Sequence, residues 1–129
     1  MQSVKEYVGR ELLQLGITMR YRGYSQTICA VEIALEDPES LTLVSKLLYP
    51  RVGKHFGVSW HVAERNIRTV VDVIWELNPE GLNHIAGCEL QRKPTVSDFI
   101  AIMVNCVNSH FCSHIQGAEP YPMHEYMLK

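Results

Sequence analysis

A chain of 129 residues that is 47% hydrophobic can bury one substantial core but is too short for two, so a single domain is expected. The formal net charge of -2 weighs against nucleic-acid binding if charge is taken globally, and the four cysteines, Cys29, Cys88, Cys106 and Cys112, lack paired spacing and argue against a disulfide framework. The charged start MQSVKEYVGREL does not read as a signal peptide, and no apolar run approaches the roughly 18 residues of a membrane span, so a soluble, cytoplasmic protein is expected.

Val4, Val8, Leu12 and Leu15 recur at helical spacing from Ser3, and Gly16 follows as a stop. After a loop, Ser25 is the expected cap of an apolar helix that carries Ile28, Cys29, Val31, Ile33, Ala34 and Leu35 and ends at Asp37-Pro38. Ser40 is the expected cap of a third helix through Leu41, Val44, Leu47 and Leu48, with Pro50 bending it or opening a new one. Further on, Ala63, Ile67, Val70, Ile74 and Leu77 form one apolar stripe, with His61, Glu64, Arg65, Arg68 and Asp72 on the opposite side. Asn78-Pro79 ends that helix, and Leu82 to Ala86 reads as a short helix closed by Gly87. Thr95 begins the capping box T-V-S-D before the last helix, FIAIMVNCVNSHF. The pattern predicts an all-α fold of about six helices over 1–116 and an irregular tail over 117–129.

Charge is unevenly distributed. Glu32, Glu36, Asp37 and Glu39 cluster, whereas Lys46 to Arg68 holds Lys46, Arg51, Lys54, Arg65 and Arg68 against Glu64 alone. Within this basic segment, Val52, Gly53, Phe56, Gly57, Val58 and Ala63 meet the demands of a helix-turn-helix in sequence order. Ile67 falls one residue late, which predicts a slightly long turn. On the second helix, Arg65 and Arg68 can each donate two hydrogen bonds to guanine, and Glu64 can accept from cytosine or hold an arginine. Ser59, Trp60 and His61 stand at the helix start, where free amides favour a phosphate, and Arg51 and Lys54 precede them as expected phosphate contacts.

The runs LLYPRVGKHFGVS, AERNIR and KPTVSDFIAIM resemble the C-terminal DNA-binding domain of the master response regulator of sporulation in endospore-forming Gram-positive bacteria, with the likeness extending from about Val4 to Ile115. The resemblance implies a six-helix fold containing a helix-turn-helix, a role in transcription, and tandem binding of domains to a short repeated DNA box. It places Glu64, Arg65 and Arg68 at the positions that face the bases, and it implies double-stranded DNA as partner, with RNA polymerase a further candidate. Val62 stands where relatives have arginine and Thr69 where they have histidine, and both changes remove a polar or cationic contact. Family members carry a receiver domain ahead of this one. Residues 1–129 show no pattern for it, so the chain is either an effector domain of a longer regulator or a stand-alone relative.

Other chemistries are less well supported. Cys106, His110 and His114 recur every four residues, with Cys88 and Cys112 as additions, but one helix face supplies only three ligands where structural zinc usually takes four. No nucleophile, base and oxyanion arrangement can be assembled, so neither an enzyme nor a cofactor or metal site is expected. The alternative to DNA binding is a helical protein-interaction module.

Overall fold

The computed structural model describes residues 2–111; Cys112, His114 and the expected tail lie outside them. Ser3 starts the first helix, α1 (Val4–Gln14), by accepting the Glu6 amide on its hydroxyl at 3.1 Å. Val8 and Leu12 are fully buried, and Gly16 turns the chain at φ +98, a backbone geometry that favours glycine.

The second helix, α2 (Arg22–Glu36), begins three residues earlier than the expected cap at Ser25. The cause is tertiary. A Cβ on Gly23 would lie 2.3 Å from the Asn66 carbonyl oxygen, so the absent side chain lets the first turn of α2 pack closely on a later helix. Ala30, Val31 and Ala34 are completely buried, and α2 touches most other elements, which makes it the central helix.

A single helix capped by Ser40 does not form. Pro38–Leu41 is a 3-10 turn, Val44–Leu48 is a widened π turn, and α3 (Tyr49–Phe56) follows with Pro50 in its first turn. Proline lacks an amide and its ring would collide with the carbonyl four residues earlier, so an ordinary α register cannot run on through Pro50. Ser40 is fully buried and its hydroxyl has no hydrogen-bond partner among the described residues, so it caps nothing.

The longest helix, α4 (Trp60–Leu77), buries Ala63, Ile67, Val70, Val71 and Ile74. Leu77, expected in that stripe, is 76% exposed because it lies one turn beyond the point where α4 leaves the core, and Val71 widens the buried face instead. Next, α5 (Pro79–Ala86) starts at Pro79 rather than Leu82, because the Asn78 side chain accepts the Gly81 amide at 3.0 Å and proline suits a first helical turn. Thr95 and Asp98 make the expected reciprocal cap at the start of α6 (Val96–Phe111). That helix inserts Phe99, Ile100, Ile102 and Met103 fully into the core against α1, α2, α4 and α5. Among the described residues there are six α-helices and no strand, and no helix is long and apolar enough to cross a membrane.

Candidate nucleic-acid interface

Gly53 is the residue on which the α3–α4 corner depends. A Cβ there would stand 2.5 Å from the Val58 carbonyl oxygen and 3.1 Å from the Ser59 carbonyl carbon. Gly57 ends α3 in the left-handed region at φ +70, and the Val58 amide donates back to the Gly53 carbonyl at 2.9 Å. Three residues, Gly57 to Ser59, therefore join the helices. This is an ordinary helix-turn-helix connection, and the slightly long turn expected from the position of Ile67 is not found.

Ser59 caps α4 by accepting the Val62 amide on its hydroxyl at 3.3 Å. From that cap the helix presents His61, Arg65 and Arg68 at positions i, i+4 and i+7, a spacing that puts them in one outward row. All three are exposed. Glu64 flanks the row and ion-pairs with Arg68 through both carboxylate oxygens, an acid-first i, i+4 arrangement that the helix geometry favours. Thr69 is exposed, and its hydroxyl donates to the Arg65 carbonyl at 3.1 Å. Asp72, further along the same side, pairs instead with Lys93 at 2.6 Å and ties the loop before α6 to α4.

On α3, Lys54 is exposed, while Arg51 pairs with Asp37 at 3.1 Å, each side chain slightly under half exposed. Arg51 is therefore held toward the end of α2 in this structure, whereas Lys54 points to solvent without an ion pair among the described residues.

One feature of the site has no sequence pattern behind it. Trp60 is half-buried, with its ring stacked 6.0 Å from that of Tyr49 at 21°, and His61 stacks on Trp60 at 3.7 Å and 27°. Tyr49, 5% exposed, anchors this three-ring ladder in the core, and burial, with the nearby Glu64 carboxylate, pushes its phenol well above the ordinary range. Ten residues, the turn among them, separate Tyr49 from Trp60, and the two lie on different helices, so no helical spacing relates them.

Two of the residues considered for metal have other neighbours. Cys106 lies 3.1 Å from the Tyr7 hydroxyl and His110 stacks on the Tyr7 ring at 4.1 Å. Among the described residues no three His, Cys, Asp or Glu side chains are placed to hold a metal ion. The sequence matches the family described as Sporulation initiation factor Spo0A C terminal over residues 8–107.

Proposed function

Because this chain belongs to the Sporulation initiation factor Spo0A C-terminal family, a family of DNA-binding regulatory domains rather than an enzyme class, we propose that it reads the major groove of double-stranded DNA with α4. The observation that carries this reading is the outward row of His61, Arg65 and Arg68 on a helix locked to α3 through Gly53 and Gly57. Arg65 and Arg68 supply the planar two-donor fork that matches guanine, with Glu64 beside them as acceptor or arginine holder. Lys54, Arg51 and the start of α4 at Ser59, Trp60 and His61 then lie along the phosphates and set the register of the helix in the groove. Two such domains bind a repeated box in tandem and act on transcription with RNA polymerase as the protein partner.

Selection of bound sequences from a random DNA pool, followed by affinity measurements on the selected site at several salt concentrations, tests the reading. It predicts one enriched box and a binding constant that falls steeply with salt. A pool that yields no enriched sequence and no salt-sensitive affinity would support a protein-interaction module instead.

A further inference from the structure

His61 shares its row with Arg65 and Arg68, one turn nearer the start of α4 than Arg65. In helix-turn-helix proteins the N-terminal residues of the second helix are those that reach base edges. The first turn of α4 runs Trp60, His61, Val62, Ala63, and of these only His61 combines an exposed position with a side chain able to both donate and accept hydrogen bonds. Its ring is also fixed in place. The stack on Trp60, itself stacked on the buried Tyr49, removes rotamer freedom that an exposed side chain would otherwise lose on binding.

We propose that His61 is a sequence-selecting residue of this domain, reading a base edge beside the site of Arg65, and that Trp60 is a positioning residue that holds the imidazole at that edge. The inference rests on the docking of α4 proposed above and goes further, because it gives His61 a role in choosing the sequence in addition to lining the backbone. The imidazole offers one donor and one acceptor, or two donors when protonated, which suits a purine edge in the major groove. Trp60 acts on the imidazole by stacking in this arrangement, its indole lying against both His61 and Tyr49.

The test uses the full chain and the site selected by the wild type, together with every single-base variant of that site. His61→Ala should lose roughly fivefold or more of its discrimination at one base pair, or two adjacent ones, and keep it elsewhere, with the salt dependence unchanged. Trp60→Leu, which keeps apolar contact with Tyr49, should lose selectivity at the same base pair, and the double variant should lose no more than His61→Ala alone. Thermal melting of each variant separates loss of fold from loss of reading. Equal weakening on all sequences by His61→Ala, with a shallower salt dependence, would make His61 a phosphate contact alone and overturn the proposal. Intact selectivity in Trp60→Leu would remove Trp60 from it. Arg65→Ala, run in parallel, keeps the two readings apart: selective loss there with uniform loss in His61→Ala rejects only the His61 assignment, whereas a wild type that selects no sequence rejects the docking as well.

Discussion

Glu64 holds Arg68 across one turn of α4, with both carboxylate oxygens on the same guanidinium nitrogen, and the acid side chain is 16% exposed against 57% for the arginine. The arginine is thus oriented before any ligand arrives. An i, i+4 helix pair of this kind adds only about 0.3–0.5 kcal/mol to helix stability, so its larger effect is on the direction of Arg68. Glu64→Ala should leave the melting temperature nearly unchanged and reduce selectivity at the base pair faced by Arg68 severalfold. Binding of the variant to single-base variants of the selected site measures this, and an unchanged profile would mean that the pair has no part in recognition.

The corner between α3 and α4 should tolerate almost nothing at Gly53. Its added methyl would meet backbone, which cannot swing aside as a side chain can, so Gly53→Ala should destabilise the domain by about 1–3 kcal/mol and weaken DNA binding with it. Gly57→Ala meets open space but keeps a φ of +70, and the cost is about 1–2 kcal/mol of backbone strain alone. Denaturant unfolding compares the two. A Gly53→Ala protein as stable as wild type would show that the helices separate readily at this corner.

Lys54 and Arg51 should differ although both lie on α3. Lys54→Ala should weaken all DNA sequences about equally and reduce the salt dependence by about one ion. Arg51 must first leave Asp37, so Arg51→Ala should have the smaller effect and Asp37→Asn should raise general DNA affinity. Salt titrations of the three variants decide the matter, and a sequence-selective loss in Lys54→Ala would place Lys54 in the groove.

Val62 is half-buried, beside the buried Ala63 and next to the exposed row, so it can be enlarged toward solvent. Val62→Arg should add electrostatic affinity on any DNA, and should add more on a box that offers a guanine opposite position 62 than on the sequence the wild type selects. Affinities on both sites at two salt concentrations separate these effects. Equal gains on both would limit position 62 to backbone contact, and no gain on either would move this part of α4 away from DNA.

Alkaline stability should report the buried end of the aromatic ladder. Burial raises the Tyr49 phenol well above its ordinary value of 10.0 in the folded protein, so the neutral phenol favours the fold. That contribution is complete below about pH 10, where the unfolded phenol is also neutral, and is lost as the pH rises from there toward the folded value. Tyr7 acts with the same sign, again chiefly through burial. Melting temperature should therefore fall above about pH 10 in the wild type and less steeply in Tyr49→Phe, which keeps the ring under Trp60. Identical alkaline slopes would show that Tyr49 is more exposed than its packing indicates.

Much of the fold is carried by short-range pattern. Ser3, Ser59 and the Thr95–Asp98 box mark their helix starts in sequence because a capping side chain bonds an amide three residues away, within reach of local inspection. The apolar stripe of α4 is legible for the same reason, as its period is the helix's own. The starts of α2 and α5 were less legible. At α2 no side chain caps the helix, and the packing of Gly23 on Asn66 of α4 lies more than forty residues away in the chain. At α5 the cap, Asn78, also ends the previous helix, so one residue carries two signals.

By itself the sequence determined that the fold is all-α, that a glycine-marked corner precedes a helix with an apolar back and a basic front, and that Glu64, Arg65 and Arg68 share that front, because each of these depends on residue type and on spacing within a turn or two. Only the tertiary structure decided how those side chains are held. Arg51 turns to Asp37, Asp72 to Lys93, and His61 rests on Trp60 above the buried Tyr49. Such pairings join separate elements whose approach is set by the packing of the whole core, and no local period in the chain encodes that distance.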